Sequence, residues 1–316
     1  MKTNFLPIAY FQDQFLPFEE AKISIATGAL HYGTAAFGGL RAFVDSSNGK
    51  TATLFRLDLH AKRLSQSAKF LGYSIGLEKI KQKIIQFTEQ NLAKTDNSFY
   101  IRPLVYVSDL GISPRLHETE FDFLIYGLEL GDYLSKDGVK VCFSSWMRQS
   151  DASFPMRGKI SGGYITSALA KTEAVSRGFE EAILLNSKGK VCEGTGMNLF
   201  LVREIGGEKV LITPSVDQDI LEGITRISLI QIAQNLGIKV LERAVDKSEL
   251  LVAEEVFLTG TAAQITPINQ IENYILPEKK PIFENNTHSI SNLQKGFYFL
   301  KLSSTHFTTT KKVLIN

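Results

Sequence analysis

Glu193-Gly194-Thr195-Gly196-Met197-Asn198-Leu199-Phe200, then Leu211-Ile212-Thr213, then Leu221-Glu222-Gly223-Ile224-Thr225-Arg226 form the most informative stretch of the chain. Asn198 to Val202 reads as a strand, and Gly206-Gly207 marks the turn that follows it. Gly223-Ile224-Thr225 leads into a helix whose apolar positions Leu229, Ala233 and Leu236 end at Gly237. A helix start offers unpaired N–H groups and the positive end of the dipole, and here a hydroxyl as well, a combination suited to a phosphate. Gly194-Thr195-Gly196 and Gly260-Thr261-Ala262-Ala263 are two further small-residue turns that can present backbone donors to an anion. Taken singly, each is an ordinary turn between elements.

Working outward, the chain has 316 residues, 44% apolar and 22% charged, with 35 Lys+Arg against 33 Asp+Glu. That length predicts two domains with ample core, and the near-cancelled charge argues against disorder or an electrostatic nucleic-acid binder. Short β-branched and aromatic runs (Phe99 to Val107, Val139 to Phe143, Ala182 to Leu185, Val256 to Leu258) alternate with helical stretches, giving a mixed α/β (α+β) chain. It does not alternate as strict βαβ, so a simple doubly wound sheet is not favoured. Leu57, Ala61, Leu64, Ala68 and Leu71 lie on one helical face with Arg63 beside it, and Leu77, Ile80, Ile84 and Phe87 mark the next helix. The polar stretch Gly127 to Gly138 places a boundary near Gly131, with a small N-terminal α/β domain over 1–131 and a larger domain over 132–275. In the larger one a helix opens at Gly162-Gly163 and closes at Gly178, and a hairpin turns around Asn186 to Lys190.

Several chemistries lack their motifs. The two cysteines, Cys142 and Cys192, are far apart, and no clustered Cys/His, Gly-x-Ser-x-Gly elbow or Walker lysine occurs, so no metal is expected. The five histidines (His31, His60, His117, His288, His306) are scattered, and each in isolation is a surface or structural imidazole. Lys159, in Arg157-Gly158-Lys159-Ile160-Ser161-Gly162-Gly163-Tyr164, is in isolation a solvated loop lysine, although the small residues around it admit close approach.

Order and spacing join these fragments. The 193–226 stretch resembles the class IV aminotransferase signature over its whole length, and Leu30 to Thr34, His60 to Leu64, Tyr100 to Leu104, Lys159 to Tyr164 and Thr259 to Pro267 match as well. Together they look like branched-chain amino-acid aminotransferases among the fold-type IV pyridoxal-phosphate enzymes, over about residues 8 to 270. The resemblance implies a two-domain, D-amino-acid aminotransferase-like architecture with pyridoxal 5'-phosphate as cofactor.

The resemblance also implies roles. Lys159 would form the Schiff base and then shuttle a proton, and Tyr164 would hydrogen-bond the phenolic oxygen. Glu193 would face the pyridine nitrogen and keep it protonated. Arg63, Gly223, Ile224, Thr225 and Thr261 would hold the phosphate, with Asn198 also on the cofactor side. Tyr32, Phe37, Arg102, Tyr133, Thr261 and Ala262 would surround an amino acid that is apolar in one half-reaction and carries the glutamate carboxylate in the other. The loop Ser108 to Pro114 would reach a neighbouring subunit's site, so a homodimer is expected.

Two departures reshape the pocket: Phe37-Gly38-Gly39 stands where these enzymes usually read Phe-Glu-Gly, and Leu130 replaces an aromatic residue of some members. The leading expectation is transfer from a branched-chain L-amino acid to 2-oxoglutarate. The alternatives are a D-amino-acid or (R)-amine transaminase, an aminodeoxychorismate lyase, or a non-catalytic phosphate-ligand binder on the same scaffold. Beyond Glu272 the match fades. In the tail, 276–316, Ile290, Leu293, Phe297 and Leu300 step at helical spacing, whereas Gly296 to Leu302 followed by Thr308 to Asn316 looks like a bacterial secretion-sorting strand module; the helix, packed on the large domain, is favoured. The apolar run Phe5 to Phe11 is broken by Pro7 and followed by Gln12-Asp13-Gln14, not by a signal-peptide cleavage pattern, and no run approaches the roughly 18 apolar residues that span a bilayer. A cytoplasmic protein without membrane or nucleic-acid partners is expected.

Overall fold

The structure is a computed structural model that describes residues 4–46, 50–131, 134–135, 137–277, 284–286, 297–304 and 307–314. The chain divides into two compact units, Met1–Gly131 with Pro155–Ile165, and Asp132–Phe154 with Thr166–Asn316. The segment that carries Lys159 therefore groups with the first unit, where the sequence places it in the second.

In the first unit an eight-stranded antiparallel sheet runs in the order Gln14–Pro17, Ile8–Phe11, Phe121–Glu129, Phe99–Val107, Leu40–Asp45, Thr51–Leu54, with Ala35–Phe37 and Asn4–Phe5 paired off this path. The central pair holds register from Phe99↔Glu129 to Val107↔Phe121. Gly127 lies inside this pair, so the linker expected from Gly127 begins only after Glu129. The helices Leu57–Phe70 and Leu77–Leu92 bury the stripes that their spacing predicts: Ala61, Leu64 and Ala68 on one, Ile80, Ile84 and Phe87 on the other. Leu77 is the exception and is exposed. Asn91 extends the second stripe with a polar clasp, accepting the Ile8 N–H at 3.2 Å and donating to the Ile8 carbonyl at 3.2 Å.

The lysine segment is added to this sheet by its backbone. The Phe37 N–H donates to the Lys159 carbonyl at 2.9 Å and the Gly162 N–H to the Gly33 carbonyl at 3.0 Å. Ser161 Oγ donates to the carbonyls of Gly33 and Ala35 at 2.7 and 3.1 Å. These bonds satisfy backbone groups of Ala35–Phe37 that would otherwise be buried unpaired.

In the second unit the strand order is Val191–Gly194, Glu181–Leu185, Val139–Phe143, Gln264–Ile271, Glu255–Gly260, Asn198–Ile205, Glu208–Thr213, Lys239–Glu242, with both parallel and antiparallel pairs. Its central strands are buried on both faces, hence their near-continuous apolar sequence. Phe200 and Val202 pack under Leu229, Ile232 and Ala233 of the helix Ile224–Asn235. Leu199 and Leu201 point to the opposite core with Val210, Ile212, Val256 and Leu258. The helix Tyr164–Ser176 lays Ala170 and Ala174 against Cys142, Ala182 and Leu184.

The tail corrects the helical expectation. Phe297–Ser304 and Phe307–Leu314 are antiparallel strands in register from Phe297↔Leu314 to Ser304↔Phe307, and Glu284–Asn286 pairs with the first of them. Aromatic and β-branched residues favour the pleated form over a helical spacing of two positions. The other two positions of the expected helix, Ile290 and Leu293, lie outside the described residues.

Candidate active site

In the first unit four expected residues meet around one amine. Lys159 Nζ donates to the Tyr164 hydroxyl at 2.5 Å and lies 4.8 and 4.9 Å from the ring centres of Phe37 and Tyr164. Those two rings are 5.0 Å apart and tilted. Arg102 stacks on the far side, its guanidinium carbon 4.6 Å from the Phe37 ring and 5.3 Å from that of Tyr100, with Nη2 donating to the Tyr100 hydroxyl at 3.2 Å. Strand geometry explains the grouping: Phe37 is opposite Leu104, and Leu104, Arg102 and Tyr100 alternate onto one face. Gly38 removes a side chain here, since a Cβ would sit 2.8 Å from Pro103 Cγ. Arg102 Nε is buried with no hydrogen-bond partner among the described residues.

Arg63 is carried by the helix Leu57–Phe70 and tied to the lysine through Ser67, whose Oγ donates to the Arg63 carbonyl at 2.8 Å and accepts the Lys159 N–H at 3.0 Å. His60, one turn before Arg63, is buried with Nδ1 unpartnered. Burial, then the charges of Arg63 and Lys159, hold its imidazole well below the usual histidine range, so it is neutral. Tyr32 donates its hydroxyl to the Ile112 carbonyl in the loop Ser108 to Pro114. Tyr133 lies outside the described residues.

In the second unit Glu193 is 4% exposed at the end of Val191–Gly194. Arg148 Nη2 reaches its Oε1 at 2.6 Å, Asn198 Nδ2 donates to Oε2 at 2.9 Å, and the Leu221 N–H donates to the carboxylate at 3.2 Å. The Asn198 amide also donates to the Leu221 carbonyl at 2.8 Å. One side chain thus ties the acid to the loop that enters the helix Ile224–Asn235. The three N–H groups of that helix's first turn, at Ile224, Thr225 and Arg226, have no intrahelical acceptor, and no side chain caps them. Ile224 is buried, whereas Thr225 is half-buried. Gly223 is required by space: a Cβ there would lie 2.0 Å from Asn198 Oδ1. Thr261 and Ala262 are half-buried in the turn after Glu255–Gly260.

Other signature positions are structural. Thr213 Oγ1 donates to the Leu199 carbonyl at 2.8 Å, and Arg226 is buried against the Pro214 carbonyl and Glu242. Beside the acid, burial and then the Glu193 charge push the Cys192 thiol far above the ordinary range, which disfavours its thiolate. Arg148, Ser67 and Tyr100 are the residues that sequence reasoning missed. No local pattern marks a single Arg after Ser144-Ser145-Trp146-Met147, and a serine one helical turn after Arg63 reads as surface.

Residues 37–271 match the amino-transferase class IV family, and residues 267–316 match the secretion system C-terminal sorting domain. The chain belongs to the class IV aminotransferases. A probable branched-chain-amino-acid aminotransferase of Synechocystis sp. is 64% identical over 89% of this chain and 90% of that protein. Among solved structures, a branched-chain aminotransferase of Thermoproteus uzoniensis with norvaline has a TM-score of 0.80 at 36% identity, covering 88% of this chain and 90% of that one. The branched-chain amino acid aminotransferase of Thermobaculum terrenum in its PLP-form has a TM-score of 0.79 at 33% identity, covering 86% and 88%. This class IV aminotransferase has the mixed two-sheet architecture of fold-type IV and depends on pyridoxal phosphate.

Each unit holds groups whose chemistry suits that cofactor: the first an amine against aromatic rings, the second an uncapped helix start and a buried carboxylate. Gly223→Ala tests the fit. The backbone at 223 is extended and tolerates Ala, so the effect is steric, displacing Asn198 or the helix start. Overpacking of this kind costs about 1–3 kcal/mol, and equilibrium dialysis should show pyridoxal phosphate bound about fivefold or more weakly. Unchanged affinity would mean that the Asn198 amide is not held there.

Proposed function

We propose that this enzyme transfers the amino group of a branched-chain L-amino acid to 2-oxoglutarate, giving the branched 2-oxo acid and L-glutamate. The observation that carries the proposal is the pairing of aromatic rings with a half-buried guanidinium beside one amine: Phe37 and Tyr164 offer a wall for an aliphatic side chain, and Arg102 offers a partner for the second carboxylate of glutamate. The names of the Synechocystis relative and of the structural neighbours point the same way.

When bound, pyridoxal phosphate supplies an electron-withdrawing ring that makes the substrate Cα–H acidic. Lys159 Nζ, beside the Tyr164 hydroxyl, is the group we assign to hold the cofactor and then to take the Cα proton. Glu193 is assigned to the ring nitrogen, with Asn198 fixing the acid. Arg63, the N–H groups that follow Gly223 at Ile224 and Thr225, and Thr261 are assigned to the phosphate. Tyr32, Phe37, Arg102, Tyr133, Thr261 and Ala262 are assigned to the substrate. A panel of L-leucine, L-valine, D-alanine and an (R)-arylamine, with 2-oxoglutarate or pyruvate as acceptor, tests the proposal. Turnover of L-leucine and L-valine with 2-oxoglutarate is expected; turnover of D-alanine or the arylamine without L-leucine would replace the assignment.

We further propose a homodimer. Support comes from Ile25, Leu110 and Ile112, which are 84%, 63% and 89% exposed on segments joined by the Gly111 N–H to the Ala26 carbonyl. Exposed apolar side chains gathered on joined segments favour an interaction surface. Sedimentation should give twice the monomer mass, and Ile112→Asp should reduce it to that of one chain. A wild type that sediments as a monomer would reject the dimer.

The cytoplasm is the compartment we propose. Its support is the pair of buried free thiols, Cys142 and Cys192, and the intracellular supply of 2-oxo acids and glutamate that the reaction needs. Among the described residues no helix is long and apolar enough to cross a membrane. The match of 267–316 to a secretion sorting domain favours export instead. Fractionation of the source cells should recover the chain in the cytosolic extract; recovery from the medium or the cell surface would establish export.

A further inference from the structure

Glu193 carries its own counter-ion. The side chains of Arg148 and Glu193 are 9% and 5% exposed and meet at 2.6 Å. Arg148 is fixed from several sides: its N–H donates to the Leu185 carbonyl at 2.8 Å, Nε to the Asp219 carbonyl at 3.4 Å, and Nη1 lies 3.5 Å from Ser167 Oγ. Among the described residues Glu193 is the one carboxylate with which Arg148 forms an ion pair. Leu221 and Asn198 already give Glu193 neutral donors. A full positive charge is more than the acid needs for hydrogen bonding, and a buried ion pair by itself is weak support for stability.

The charge acts on where a proton sits. Granting the assignment of Glu193 to the ring nitrogen, which this inference rests on, a proton between nitrogen and carboxylate has two places. In a buried setting the uncharged arrangement, with the proton on the carboxyl, is favoured because burial penalises both ions. A guanidinium 2.6 Å from Glu193 Oε1 would reverse that preference, because it bears directly on the carboxylate and stabilises its ionised form. We propose that Arg148 is a positioning residue of transamination: its charge keeps Glu193 ionised and so holds the proton on the ring nitrogen of the cofactor.

The experiment uses the full-length enzyme loaded with pyridoxal phosphate labelled with nitrogen-15 in the ring, as wild type, Arg148→Lys and Arg148→Gln, with thermal unfolding as a check on folding. The wild type and Arg148→Lys should place the ring nitrogen resonance in the protonated range. Arg148→Gln, which keeps a hydrogen bond but no charge, should move it toward the unprotonated range. A merely structural Arg148 would leave the resonance in place, so a Gln variant with the wild-type shift overturns the proposal. So does a Lys variant displaced from the wild-type position, and Arg148→Met, also uncharged, takes the place of the Gln arm if that variant does not fold. Failure of the underlying site assignment looks different: wild-type protein that stays colourless with the cofactor, or whose borohydride-fixed label falls elsewhere than on Lys159.

Discussion

The burial of one carboxylate organises the second unit. An ionised acid away from water is tolerable only if donors surround it, and Glu193 draws them from three parts of the chain: Arg148 before the lysine segment, Asn198 across a tight turn, and the Leu221 N–H ahead of the last long helix. The turn itself rests on a second buried acid. Glu181 accepts the N–H groups of Thr195 and Ala182 on one oxygen and Lys171 on the other. One carboxylate fixes the shape of the Gly194 to Met197 turn, and the other is presented by it. Breaking a buried pair of this kind costs about 3–5 kcal/mol, which is enough to make such positions intolerant of change.

The amine is prepared by different means. Lys159 is held by its backbone, through Phe37 on one side and Ser67 on the other, while the side chain faces aromatic rings and the Tyr164 hydroxyl. Nearby charge is positive: burial lowers His60, and the charges of Arg63 and Lys159 lower it further. The first unit is therefore rich in cations and aromatic faces, the surroundings that acidic substrates and a phosphorylated aromatic cofactor require.

Much of this was legible from residues alone. The strand Phe99 to Val107 and the helical stripes at 57–71 and 77–87 follow from periodicity, because burial on one face imposes a period whatever the partner. The helix start after Gly223 was readable from the residues, whereas Glu193 was singled out only by the family resemblance of 193–226. Local pattern could not supply long-range pairing. Arg148 stands forty-five residues before Glu193, and a solitary arginine in a polar loop has no periodicity to betray it. The tail misled for a related reason: four apolar positions met a helical spacing, while the backbone of two of them pairs as strand.

The lysine segment belongs to the first unit although it follows Asp132–Phe154 in the chain, so neither unit is one uninterrupted stretch. On the ribosome, the first unit cannot be complete when residue 131 emerges; it must wait for Ile165, with the opening strand of the second already made. A truncation after Gly131 would leave the edge of Ala35–Phe37 without its backbone partners, and a separately expressed N-terminal fragment would be an unfinished sheet lacking its amine.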